Sequence, residues 1–131
     1  CTAITAQGGL VYIPHPFDPM RACLREDVLL GLVGDGLVDA VEVRNAKTSL
    51  EHLNERAARL AADNGLAAGA GSDAHEPSAI GAAYVEVPDF DDHSAASFLA
   101  SLRSSSAAVV GHHYDAPRVW RARIVPSTKS T

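Results

Sequence analysis

The stretch VDAVEVRN, residues 38–45, decides the fold class. It follows GDG at 34–36, where a helical pattern ends, and it reads as a buried strand over about Val38–Val43. A similar strand, Leu10–Ile13, lies upstream in LVYIPHP, and a short strand of small residues, Leu66–Ala70, lies downstream. Apolar residues at helical spacing fill both intervals. The order β-α-β-α-β predicts an α/β fold with a parallel sheet, either open or part of a barrel.

The second half of the chain continues this pattern. It predicts a strand at Ala83–Val87, a helix after the acidic cluster DFDD, and strands at Ala107–Val110 and Val119–Val125. We assign residues 1–125 to one domain portion and 126–131, with PSTKST, to a tail.

Local signals predict where the first helices start. Asp18 followed by Pro19 predicts an N-cap and a first-turn proline. Thr48 with Glu51 matches a capping box for the next helix.

Composition limits the function classes. The chain has 131 residues and a net charge of −5, with acids and bases mixed along it, which argues against a nucleic-acid backbone or an anionic membrane as the main partner. No apolar run approaches the roughly 18 residues of a membrane span. Two cysteines are too few for a disulfide framework, so we expect a cytoplasmic protein. Because the first residues, CTAITAQGG, read as the end of a helix, we also expect the chain to be part of a longer protein.

Polar residues recur at the carboxyl ends of the first three predicted strands, about one βα unit apart. In order, they are His15, then Glu42, Arg44 and Asn45, then Ser72, Asp73 and His75. In parallel α/β folds this edge is where sites are built. The recurrence of these residues at the same point of each βα unit is stronger evidence for a site than any one of them.

The segment GAGSDAHEP, residues 69–77, predicts metal binding. Imidazole nitrogen and carboxylate oxygen are good donors for divalent metals such as Zn²⁺, Mn²⁺ and Fe²⁺. Asp73 and His75 are two residues apart, which on an extended segment points both side chains to the same side. The preceding glycines allow the backbone to approach a ligand closely. A metal here would acidify a bound water and polarise a phosphoryl or carbonyl oxygen.

Structural explanations compete with these assignments. His15 between two prolines suits a rigid turn, and SDAH suits an Asx-type turn with a solvated His. Glu42 suits a buried acid paired with Arg44 or Lys47, since strand alternation puts Glu42 and Arg44 on one face.

The remaining histidines carry weaker signals. His52 and His93 suit solvated helix faces. A plain loop is the default interpretation of His112 and His113, and the alternative is that one of them faces the same edge as the site.

Three of these segments resemble the second half of a PHP domain, the polymerase-and-histidinol-phosphatase superfamily. They are GGLVYIPHP at 8–16, DAVEVRN at 39–45 and GSDAH at 71–75. The resemblance implies the C-terminal portion of a distorted (β/α)₇ barrel with two or three divalent metal ions (Mn, Zn, Fe or Mg) in the intact domain. The family's opening His-x-His and its further upstream ligands have no match here, so this chain alone would hold an incomplete site.

The resemblance also implies roles for individual residues. His15, Asp73 and His75 would be metal ligands, with Asp73 and His75 at the catalytic centre. Glu42 stands where related sequences carry an acid before an Asn, and it joins them as a further candidate ligand whose role stays open. The candidate substrate-binding residues are Arg44, Asn45 and Ser72, with the charge of Arg44 suited to a phosphate.

The implied activity is metal-dependent hydrolysis of a phosphomonoester by activated water. We expect a small phosphorylated substrate, a nucleotide among the options, and neither a membrane nor a nucleic-acid partner. Two alternatives remain, namely an amidohydrolase-like metallohydrolase and a non-catalytic PHP-like scaffold. Retention of His15, Asp73 and His75 together argues against the scaffold.

Overall fold

The computed structural model describes residues 1–104 and 107–112. The helices are α1 (Thr2–Ala6), α2 (Glu26–Gly34), α3 (Glu51–Asn64) and α4 (Ala95–Leu102), with a 3₁₀ turn at Pro77–Ala79. The strands are β1 (Tyr12–Ile13), β2 (Ala40–Asn45), β3 (Ala67–Gly71), β4 (Ala83–Glu86) and β5 (Ala108–Gly111). The predicted order of elements is confirmed over these residues, with strand bounds displaced by one or two positions.

Strands β1, β2 and β3 form a parallel sheet in chain order, with Tyr12 opposite Ala40 and Ala40 opposite Ala67. This confirms a mixed α/β fold with a parallel sheet. Strands β4 and β5 form a separate antiparallel pair, so a parallel arrangement is wrong for that part. The order of elements does not determine direction, because a connection that includes a helix can return the chain to either end of a strand.

The two faces of the parallel sheet pack differently. Val41 of β2 is fully buried with Leu29 of α2 and Leu60 of α3, which together form the main apolar core. The opposite face carries small residues, and Ala40 and Ala67 there pack against Leu102 of α4. Helices therefore cover both faces, and the carboxyl ends of the three strands are left to build the site.

Two predicted helix starts are wrong for the same physical reason. Helix α2 begins at Glu26 and α3 at Glu51, each without a side-chain cap, whereas Asp18 and Thr48 lie in the loops before them. Thr48 Oγ1 donates to Asp18 Oδ2 at 2.9 Å, and Asp18 Oδ1 accepts the Met20 N–H at 2.9 Å. Both side chains are buried and join the two loops to each other instead of capping helices.

Several predictions lie outside the described residues, namely the strand at 119–125, the tail at 126–131 and any role of His113. Among the helices that are described, none is long and apolar enough to cross a membrane.

Candidate functional site at the strand ends

The ends of β1 and β2 are joined through one carboxylate. Glu42 Oε2 accepts the backbone N–H of His15 at 2.7 Å and the side-chain N–H of Asn45 at 3.0 Å. Glu42 is only 6% exposed, so both hydrogen bonds are shielded from water. Neither Arg44 nor Lys47 is its partner, because the register of β2 against β3 shifts between Glu42 and Arg44. Glu42 therefore holds the His15 turn against the sheet.

Asn45 links this carboxylate to the loop after β3. Its Nδ2 also donates to Asp73 Oδ2 at 3.4 Å, while its Oδ1 accepts the backbone N–H groups of Lys47 and Thr48 at 2.9 and 3.0 Å. The residue is 2% exposed. Its amide is thus used by protein groups on both sides, and its predicted contact with substrate stays a prediction.

The glycines of β3 make room for side chains of the neighbouring strands. A Cβ added at Gly71 would lie 2.5 Å from Glu42 Oε1, and one added at Gly69 would lie 2.6 Å from the Tyr12 hydroxyl oxygen. The sequence suggested that these glycines admit a ligand. In the structure they admit the Glu42 carboxylate and the Tyr12 ring.

Tyr12 extends the site into a groove on the α4 side of the sheet. A cavity of about 580 Å³ is lined by Tyr12, Glu42 and Gly69 on the sheet and by Phe98 and Leu102 on α4. Burial, reinforced by the negative charge of Glu42, raises the pKa of the Tyr12 phenol well above its ordinary value. The phenol therefore stays neutral, as a hydrogen-bonding group in a mainly apolar groove.

His15 and Asp73 share an uncommon backbone conformation. Their φ angles are +30° and +49°, and within the described residues they are the two non-glycine positions with positive φ. Such conformations cost roughly 1–3 kcal/mol and persist where the surroundings impose them, often at functional sites. Here the hydrogen bond from His15 N–H to Glu42 and the Asn45 contact to Asp73 impose them.

The SDAH loop presents Asp73 and His75 differently. The Asp73 side chain is 17% exposed, and its Oδ2 lies 3.0 Å from Nε of Arg21. The His75 ring is 65% exposed, and its Nδ1 is 2.8 Å from the backbone oxygen of Asp73. A proton on Nδ1 satisfies that contact and leaves Nε2 with its lone pair directed elsewhere, which is the form a metal ligand or a general base needs.

Other predicted residues are not drawn into this cluster. Arg44 pairs with Glu51 at the start of α3, with Nη1 donating to Oε2 at 3.0 Å and Nη2 lying 3.0 Å from Oε1. Ser72 is half-buried beside Asp73. The backbone N–H of His112 donates to the Ala82 oxygen, next to β4. The roles predicted for Arg44 and Ser72 remain predictions.

The sequence analysis missed Arg21, Asp18 and Thr48. Arg21 Nε lies 3.9 Å from Asp18 Oδ2 as well as near Asp73, so it lies between two acids of the cluster. The signal available was HPFDPMR at 15–21, which places an acid and an arginine within one turn of His15. Because Asp18 was interpreted as a helix N-cap, this signal was not recognised.

The donor types fit a divalent metal, but their arrangement does not complete a site. Among residues 1–104 and 107–112, no group of three or more His, Cys, Asp and Glu side chains is close enough together to hold an ion. Glu42 Oε2 is taken up by N–H donors, and Asp73 faces a guanidinium. Two buried side-chain atoms of the described residues have no hydrogen-bond partner, Arg21 Nε and His15 Nδ1, and the second is of a type that can bind a metal ion.

The fold and the edge together define an α/β protein with an acidic and imidazole-bearing cluster at the carboxyl end of a parallel sheet. Residues 51–107 match the family model PHP_C, described as PHP-associated, and the match includes the SDAH loop. This confirms the resemblance to the C-terminal region of the PHP superfamily. No curated protein and no solved structure matches the chain.

Proposed function

We propose that this chain is the C-terminal part of a metal-dependent phosphoesterase of the PHP type, in a cytoplasmic protein whose complete domain is a (β/α)₇ barrel. The reaction is hydrolysis of a small phosphomonoester, in which water adds to phosphorus, the bond from phosphorus to the ester oxygen breaks, and the leaving alcohol takes up a proton. The observation that carries the proposal is the hydrogen-bonded junction of His15, Glu42, Asn45 and Asp73 at the strand ends. The PHP-associated match over 51–107 supports it.

The residues of this edge divide into two roles. Glu42 and Asn45 are buried and act as positioning residues, since they hold the His15 turn and the SDAH loop in their strained conformations. Asp73 and His75 face the site and are the candidates for contact with metal and substrate. When bound, divalent ions would supply charge neutralisation and an acidified water.

The adjoining groove offers space for the organic part of a substrate. Its apolar lining by Phe98 and Leu102 lies beside Glu42, while Tyr12 adds a neutral phenol. An ester group at the strand ends would therefore place its leaving group on or near this surface.

One observation favours a second candidate function, the non-catalytic scaffold. Asp73 is neutralised by Arg21, and the described residues form no three-ligand group. A scaffold would keep such an ion pair permanently, whereas an enzyme must free Asp73.

Metal content and turnover of p-nitrophenyl phosphate test the proposal. The full-length protein, supplied with Mn²⁺ or Zn²⁺, is compared with its Asp73→Ala and His75→Ala variants. His52→Ala is the matched control, because His52 is an exposed histidine on α3. We expect metal and turnover to collapse in the first two variants only. A full-length protein that binds no metal supports the scaffold instead.

A further inference from the structure

Arg21 is placed as a counter-cation for the acids of the site. Its Nε lies 3.0 Å from Asp73 Oδ2 and 3.9 Å from Asp18 Oδ2. The side chains of Arg21, Asp73 and Asp18 are 20%, 17% and 5% exposed, so the three charges interact in surroundings with little water. The pairing is therefore an important part of the charge balance of the cluster.

The contact between Arg21 and Asp73 lacks a directional hydrogen bond at Nε. This nitrogen is buried and makes no hydrogen bond, although an acceptor oxygen lies 3.0 Å away. The Arg44–Glu51 pair differs, because there a guanidinium N–H donates to the carboxylate at 3.0 Å. Because Nε makes no directional hydrogen bond, this contact depends on Coulomb energy, which another cation also supplies.

We propose that Arg21 and a divalent cation are alternative partners of Asp73. The inference rests on the proposed function in one respect, since it takes Asp73 as a metal ligand. A cation about 2.1 Å from Oδ2 would lie within a few ångströms of the guanidinium. Like charges at that separation repel strongly where water is scarce, so Arg21 withdraws when the cation binds.

The affinity of the full-length protein for Mn²⁺ tests the competition, with the free ion measured by electron paramagnetic resonance. We expect Arg21→Gln to bind Mn²⁺ about tenfold more tightly than the wild type, and Arg21→Lys to stay near the wild type because it keeps the charge. Arg25→Gln is the control, since Arg25 forms an exposed pair with Asp27 at the start of α2. It should leave the affinity unchanged.

Weaker binding by Arg21→Gln would overturn the proposal and make Arg21 a residue that positions Asp73. Equal affinity, including no binding by either protein, would overturn it too. If Arg21→Gln fails to fold, a nuclear magnetic resonance titration of the wild-type protein tests the proposal. The Arg21 Nε–H resonance should then move on titration with diamagnetic Zn²⁺, and an unmoved resonance on a zinc-bound protein contradicts displacement.

The outcomes separate this inference from the proposed function. Tighter binding by Arg21→Gln, with no phosphatase activity in the full-length protein, keeps the competition and removes the phosphoesterase. If the full-length protein turns over substrate but Arg21→Gln does not change the Mn²⁺ affinity, the phosphoesterase is kept and the competition is removed.

Discussion

Glu42 and Asp73 are two carboxylates at the same sheet edge in contrasting surroundings. Glu42 Oε2 accepts N–H groups from His15 and Asn45, and the residue is 6% exposed. Asp73 receives one long hydrogen bond from Asn45 and faces the cation Arg21, with its side chain 17% exposed. The neutral donors on Oε2 give Glu42 a structural contact with the His15 turn, while its predicted role as a metal ligand stays a prediction. Asp73 is balanced by the charge of Arg21, and in the proposed function it is the carboxylate that binds a ligand.

The largest expected effect is on stability and comes from Glu42. Glu42→Ala leaves the buried N–H groups of His15 and Asn45 without their acceptor, and we expect the free energy of unfolding to fall by about 3 kcal/mol. Urea unfolding measures it. Glu55→Ala, at an exposed position on α3, should change it by about 0.5 kcal/mol or less. A loss at Glu42 no larger than at Glu55 would contradict the structural role.

Gly71 tests the space that the Glu42 carboxylate needs. Gly71→Ala brings a Cβ to 2.5 Å from Oε1, so we expect a destabilisation of about 2 kcal/mol through overpacking. Gly34→Ala is the matched control, because Gly34 is in α2 with open space around its Cβ position. It should be neutral or slightly stabilising. Equal effects in the two variants would mean that Glu42 moves freely.

Tyr12 gives a pH dependence that comes mainly from burial of its phenol and to a smaller extent from the charge of Glu42. Because the phenol pKa is raised in the folded protein, the unfolded chain ionises first, above about pH 10. The contribution to stability is complete below that pH and is lost as pH rises. Unfolding of wild type and Tyr12→Phe between pH 8 and 12 measures it. If the free energies of unfolding of the two proteins change with pH in parallel, the Tyr12 phenol ionises as easily in the folded protein as in the unfolded chain.

The smallest expected stability change is at Asp73. Asp73→Asn creates no cavity and leaves Arg21 beside a second acid, Asp18, so we expect a loss of only about 1 kcal/mol. Thermal unfolding of this variant beside Arg21→Gln and the double variant measures the coupling between the two charges. A loss matching that of Glu42→Ala would remove the distinction between the carboxylates.

The parallel sheet was predictable from the sequence because each strand and helix has its own apolar pattern. Three buried strands follow one another at a spacing of one βα unit, in LVYIPHP, VDAVEVRN and GLAAGAG. This regular spacing alone predicted which residues share an edge of the sheet. The antiparallel pairing of β4 with β5 was not predictable, because strand direction depends on the path of the connection and not on strand composition.

The proximity of four strand-end residues was predictable, whereas their individual contacts were not. His15, Glu42, Asn45 and Asp73 do meet, as their positions at strand ends indicated. Alternation suggested that Glu42 and Arg44 share a face, but the register shift in β2 lets Arg44 pair with Glu51. Arg21 is in a loop with no periodic pattern, so its distance to Asp73 is a tertiary property that the sequence does not reveal.

The most direct test of this account is the Mn²⁺ affinity of the full-length protein with Asp73→Asn and with Glu42→Gln, measured by calorimetry. The account predicts a loss of about tenfold or more for Asp73→Asn and a change below about threefold for Glu42→Gln. Loss of binding through Glu42→Gln, with Asp73→Asn unaffected, would contradict it.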